Sequence, residues 1–218
     1  MQLTSDGVPI LIHDAMLDRT TTGKGRVADA TIGYIKSLDA GIWFEGPEDT
    51  IGKKGPGAYG DAFVPTLEEF LERYAGEVNL HLELKSNEQE LAGKVAALLD
   101  EHGWTKPKSP KHPGVSISSF DASQLWRSKN AMPHLDHGFL MRKITALDCE
   151  LAVSLGCSGI YPNAGEVSPV DIQLAETNGL FVRTWGVRSE EDLLRARDSG
   201  ASGTTVDWPL RAQKLIAG

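Results

Sequence analysis

Asn79-Leu80-His81-Leu82-Glu83-Leu84-Lys85 decides the fold. Three leucines alternate with histidine, glutamate and lysine, the period of two of an extended strand whose successive side chains point to opposite faces. Leu80, Leu82 and Leu84 are expected to pack beneath helices, leaving His81, Glu83 and Lys85 together on the other face. In a barrel that face is the interior, and near the carboxyl rim it sets a carboxylate beside an ammonium. Glu83 can bind a hard divalent cation through oxygen, and Lys85 can neutralise a phosphate oxygen as a point charge. The plain alternative is a solvent-exposed Glu–Lys face. The leucine row favours an inward-pointing pair.

Outward from this strand, short apolar runs alternate with longer amphipathic ones. Further strands are expected at Pro9–His13, Val115–Ser119, Gly138–Met141, Gly159–Tyr161, Phe181–Trp185 and Thr204–Asp207. The pattern over Glu88–Glu101 places Leu91, Val95, Leu98 and Leu99 on one helical face. Thr66 with Glu69, and Ser189 with Asp192, read as capped helix starts, the second with the weaker acidic partner. Asp121, Ala146–Leu155 and Val170–Thr177 supply more helices. Repeated strand–helix units of this length predict an α/β fold with a parallel sheet, spaced as in a (β/α)8 barrel. Six runs fit as full barrel strands. Pro9–His13 reads instead as a hairpin partner of Gln2–Thr4 across the Asp6-Gly7 turn. The expectation is one domain over residues 1–218, a TIM-type barrel lacking roughly the first strand, the first helix and most of the second strand.

The bulk properties agree with one core: 218 residues, 40% of them hydrophobic. With 30 acidic against 22 basic residues and a net charge of −8, the chain lacks the basic surface that non-specific nucleic-acid binding requires. The one basic cluster, Lys106, Lys108 and Lys111, is broken by prolines and reads as a solvated loop. Cys149 and Cys157 lack metal-site spacing and are expected to be reduced and buried. No apolar run approaches the roughly 18 residues of a membrane span. The opening residues have neither the basic start nor the apolar stretch of a signal peptide, so a cytoplasmic location is expected. Gly41–Pro65, rich in glycine and proline and without a period, reads as a long loop. Covering substrate and being ornamental are equally open to it.

His13 ends the apolar run Pro9-Ile10-Leu11-Ile12, so a strand delivers a polar side chain to its tip. Histidine is suited to protonating a leaving alkoxide near neutral pH, although a capping or packing role is as open for an isolated strand-end histidine.

The series as a whole is more specific. Leu3 through Asp14, Leu17-Asp18-Arg19-Thr20-Thr21-Thr22-Gly23, Leu38-Asp39-Ala40-Gly41 with Trp43-Phe44, Pro65 through Glu69, Glu83-Leu84-Lys85, Ser118-Ser119-Phe120-Asp121, Trp185-Gly186-Val187 and Asp207-Trp208-Pro209 resemble, in order, the glycerophosphodiester phosphodiesterase family. The resemblance implies a (β/α)8 barrel that hydrolyses glycerophosphodiesters to glycerol 3-phosphate and an alcohol, with a divalent cation, Mg²⁺ or Ca²⁺, and histidine acid/base chemistry. By the same resemblance His13 is the catalytic acid/base histidine, Glu83 the metal ligand, Lys85 a neighbour of the substrate phosphate, and Trp185 the pocket wall against glycerol. The family also carries a His-Arg pair on its opening strand and a Glu-x-Asp motif just before the segment matching Met1-Gln2-Leu3-Thr4. Neither is in this chain, which therefore reads as an N-terminally truncated member with impaired turnover. The alternative is a non-catalytic barrel remnant that binds a phosphate ligand or a protein partner. Unpaired barrel edges imply possible self-association. His81 in place of the usual Asn, and Gly186 and Arg188 in place of Thr and Asn, are smaller departures.

Overall fold

The computed structural model describes residues 1–44, 59–74, 77–105 and 114–217. Most of the proline- and glycine-rich stretch expected as a long loop, and the Lys106–Lys111 cluster, lie outside the described residues.

A two-stranded antiparallel hairpin opens the chain, β1 (Gln2–Leu3) against β2 (Pro9–Ile10), with Gln2 opposite Ile10 and Leu3 opposite Pro9. The turn works as its residues dictate. Gly7 takes φ of +78°, and its N–H donates to the Thr4 carbonyl at 2.9 Å. The Asp6 carboxylate accepts from the Thr4 hydroxyl and from the Ile32 N–H. A short 3-10 turn (Val27–Asp29) and α1 (Ile32–Lys36) follow, and α2 (Leu67–Arg73) precedes the main sheet.

That sheet has six parallel strands in chain order: β3 (Leu80–Glu83), β4 (Val115–Ser119), β5 (Asp136–Leu140), β6 (Gly159–Tyr161), β7 (Phe181–Thr184) and β8 (Gly203–Thr204). Helices fill each connection: α3 (Leu91–Glu101), α4 (Ala122–Ala131), α5 (Ala146–Ser154), α6 (Pro169–Thr177) and α7 (Glu190–Ser199). Then α8 (Pro209–Ala217) follows β8. These are six β/α units of a TIM-type barrel with a hairpin ahead of them. The backbone of Met1 adds to the β3 edge, its nitrogen donating to the Glu83 carbonyl at 2.5 Å and its carbonyl accepting from the Lys85 N–H at 3.1 Å.

Two cores result. On the outer face Leu80, Leu82 and Leu84 pack with Leu91, Val95, Leu99 and Trp104, all below a tenth exposed, as the alternation predicts. Full burial of each such leucine is worth about 1.5–3 kcal/mol. Leu98 is half-buried at the edge of that contact. Inside, aromatic rings fill the barrel: Tyr161 and Phe181 lie 5.9 Å apart. A Cβ on Gly138 would stand 2.1 Å from the Tyr161 ring, and one on Gly159 would stand 2.7 Å from Phe181. Glycine at both positions is thus what admits the rings.

The helices are fixed at their starts. Reciprocal capping boxes join Thr66 with Glu69, Thr145 with Asp148, Ser168 with Asp171 and Ser189 with Asp192. The side chain of Asp121 caps α4 alone. Cys149 and Cys157 are free and buried, and burial pushes the Cys157 thiol up to about 11. No helix among the described residues is long and apolar enough to cross a membrane.

Candidate active site

In each β/α unit the strand and the helix after it run in opposite directions, so strand carboxyl ends and helix amino ends gather on one face, where barrel enzymes carry their sites. Glu83 closes β3 on that face, with Lys85 two residues on. Lys85 Nζ lies 2.8 Å from Glu83 Oε1, and both side chains are more than two-thirds buried. The inward-pointing pair anticipated from the alternation is therefore present. Backbone support comes from β4, whose Ser118 carbonyl accepts from the Leu84 N–H at 2.8 Å.

His13 reaches this region through the hairpin. The Gln2 side-chain amide donates to the His13 carbonyl at 3.2 Å, and the neighbouring Met1 is bonded to Glu83 and Lys85 as described. Its imidazole is exposed, and Nδ1 lies 2.7 Å from Asp14 Oδ1. Arg19 donates to the same carboxylate through Nε (2.6 Å) and Nη2 (2.9 Å). The bonds from Arg19 and then His13 hold the Asp14 carboxyl well below the usual carboxylate range. With Nδ1 engaged by Asp14, Nε2 is the ring nitrogen left for a substrate. Asp14 and Arg19 were not singled out from the sequence as functional. Their signal was an acid directly after the histidine and a base five residues on, inside a motif noted for likeness alone.

Trp185 follows β7. Its indole N–H is shared between the Met141 carbonyl (3.0 Å) and the Tyr161 carbonyl (3.1 Å), and Phe120 meets it edge-on at 5.2 Å between ring centroids. These contacts fix it over the ends of β5 and β6, beside a cleft of about 490 Å³ that Arg142, Asn163, Glu166 and Arg188 also line. Glu83 and Lys85 are thus directly paired, His13 is joined to them through Gln2 and Met1, and Trp185 stands further round the same face.

His81, on the interior row below Glu83, bonds Ser116 Oγ through Nδ1 at 2.5 Å. Burial, and then the nearby Arg183 cation, push its pKa down to about 4. Among the described residues, one group of three potential metal ligands comes together, Glu68, Glu72 and His102, with ligand atoms within 4.8 Å of one another. It lies on α2 and at the end of α3. Because α3 runs antiparallel to β3, this cluster is at the end of the fold opposite Glu83.

A profile of the Glycerophosphoryl diester phosphodiesterase family matches residues 1–211. The chain belongs to this family. The Glycerophosphodiester phosphodiesterase of Bacillus subtilis (strain 168) is 31% identical over 224 residues, covering 100% of this chain and 75% of that protein. Among solved structures, an Oleispira antarctica phosphodiesterase in complex with the product sn-glycerol-3-phosphate is 26% identical. It has a TM-score of 0.83 and covers 99% of this chain and 82% of its own. A glycerophosphodiester phosphodiesterase from Agrobacterium tumefaciens str. C58 is 25% identical with a TM-score of 0.75, over 97% of this chain and 84% of its own. The glycerophosphodiester phosphodiesterase family is generally metal-dependent. Among the described residues Glu83 joins no group of three potential metal ligands, and one of its carboxylate oxygens lies on Lys85. That donor set fits a hydrated cation held jointly with a substrate phosphate and does not make a preformed protein cage.

Proposed function

We propose that this chain hydrolyses glycerophosphodiesters to glycerol 3-phosphate and an alcohol, with His13, Glu83, Lys85 and Trp185 as its working residues. The observation that carries this reading is the Glu83–Lys85 pair at the strand end, tied by Gln2 and Met1 to a histidine whose Nδ1 is already engaged. Lys85 places a point charge against a phosphate oxygen at a largely buried position, where attraction is less screened than at the surface. His13, oriented by Asp14, delivers a proton from Nε2 to the departing alkoxide. Trp185 offers an apolar wall to the carbon side of glycerol, its N–H being occupied by backbone. Glu83 is the proposed ligand for Mg²⁺ or Ca²⁺, and the ion when bound neutralises phosphate charge and orients the phosphoryl group. One or two carboxylates plus substrate phosphate is the usual pattern for Mg²⁺. The cytoplasm is the proposed location, where thiols such as Cys149 and Cys157 stay reduced.

The test is release of glycerol 3-phosphate from glycerophosphocholine with Mg²⁺ or Ca²⁺ and with EDTA. Metal-dependent release is expected. His13→Ala should cut it by about 10²–10⁴-fold, the usual size of lost general-acid catalysis. Glu83→Gln should abolish the metal-dependent part. A His13→Ala variant with near-unchanged turnover would remove His13 from the chemistry.

A further inference from the structure

Beside His13 lies a groove of about 330 Å³, on the scale of a small-molecule site, whose walls include Ile12, Trp43, Phe63 and Val64. Trp43 and Phe63 are 46% and 54% exposed, a concentration of aromatic surface next to the one histidine proposed as the acid. What the groove offers is narrow. The Trp43 N–H is given to the Ala40 carbonyl at 2.9 Å, so its indole presents apolar faces. The Arg19 fork is taken by Asp14. The Lys36 ammonium sits 4.1 Å from the Phe63 ring centroid and pairs with Glu69.

Three kinds of leaving alcohol can be weighed against those walls. A quaternary ammonium alcohol wants a free aromatic face or a carboxylate; the Phe63 ring already faces a cation and, among the described residues, no acid lines the groove, so the Trp43 face is what such an alcohol has to bind. A polyol wants several hydrogen-bonding partners, and beside His13 and the engaged Arg19 the described walls offer the Thr20 hydroxyl. An alcohol with a hydrocarbon body needs neither, and gains by removing Trp43, Phe63, Ile12 and Val64 from water.

We infer that this groove is the leaving-group subsite and selects phosphodiesters whose alcohol is apolar. The inference rests on the phosphodiesterase reading, since it is the His13 proton that fixes where the alcohol departs. In that step water supplies the hydroxyl that phosphorus gains, the bond between phosphorus and the alcohol oxygen breaks, that oxygen takes the His13 proton, and the proton that water gives up passes to solvent, from which His13 is reprotonated.

Hexyl, methyl and choline esters of sn-glycerol 3-phosphate separate the possibilities, measured as affinity by calorimetry in EDTA and as glycerol 3-phosphate release with Mg²⁺. The hexyl ester is expected to bind at least about tenfold tighter than the other two, because several methylenes leave water. Trp43→Ala and Phe63→Ala should each bring that ratio within about threefold. Trp126→Ala, at a 59% exposed site on the outer helix α4, should preserve it. Equal affinities, a choline preference, a ratio that survives both groove variants, or no binding of any ester at millimolar concentration overturns the subsite. Hexyl-selective binding without product release from any ester overturns the phosphodiesterase reading and leaves the groove standing. Release without selectivity does the reverse.

Discussion

At the scale of single residues, His13 depends on two side chains that do not touch substrate. Asp14 accepts from the imidazole and is itself clamped twice by Arg19. Removing the carboxylate leaves an exposed ring free to rotate. Asp14→Asn is therefore expected to lower kcat by about 10–100-fold with little change in KM, as a misplaced acid does. Asp14→Glu should recover part of the loss; a matched fall in both variants with rising KM would point to a folding role instead. His81 is a second residue with a readable consequence. Its folded pKa, about 4, lies below the ordinary histidine value of 6.5. Between those values the unfolded chain binds the proton and the folded one does not, so stability falls as pH drops from about 6.5 to about 4. Because the residue also meets solvent, the effect is held to about 1 kcal/mol and not the full linkage. Urea midpoints across that window should slope in the parent and flatten in His81→Asn. Glu83 and Lys85 were legible from the alternation, and His13 from its place at the tip of an apolar run. The Asp14–Arg19 clamp was not, because a loop has no period that tells which side chains turn toward each other.

At the scale of elements, most helices and strands follow from pattern and the short ones do not. β4 and β6 have the bounds the sequence suggests. β2 stops at Ile10 and β8 at Thr204, earlier than their apolar runs do, because ladder pairing ends there. α1 is five residues and α8 begins at Pro209, directly after Trp208; neither was anticipated. α3 starts at Leu91 and not Glu88, with Glu90 as its N-cap. The capping boxes were read correctly at Thr66 and Ser189. Thr66→Ala leaves the Glu69 N–H without its acceptor, and is expected to cost about 1 kcal/mol, or about 2–4 °C of Tm in a chain of this size. Gly138→Ala is the harsher change. Its methyl meets the Tyr161 ring head-on, and neither β5 nor the ring can retreat without disturbing the barrel interior. An expected loss of about 2 kcal/mol or more, seen as a lower urea midpoint, tests the claim. An unaffected midpoint would mean the ring is not held where it stands.

At the scale of the whole molecule, β3 and β8 are the outer strands of the described parallel sheet, β3 carrying two further backbone hydrogen bonds with Met1. Among the described residues β8 has no strand on its outer side, and an open strand edge invites association, so sedimentation velocity should show an average mass that rises with protein concentration. A constant monomer mass up to the solubility limit would defeat that expectation. The barrel class was legible because the β/α alternation repeats; how the hairpin ties His13 to Glu83 was not, since it depends on single hydrogen bonds from Gln2 and Met1.

The capping boxes also govern how the face meets its substrate. Asp148, Asp171 and Asp192 each turn back onto the first turn of their own helix. The positive ends of three helix dipoles on this face are thus already answered by the chain's own acids. A phosphodiester in solution consequently meets little long-range pull and is caught at close quarters by Lys85. Capture of that kind is nearly blind to ionic strength, and kcat/KM should change only slightly as salt is raised.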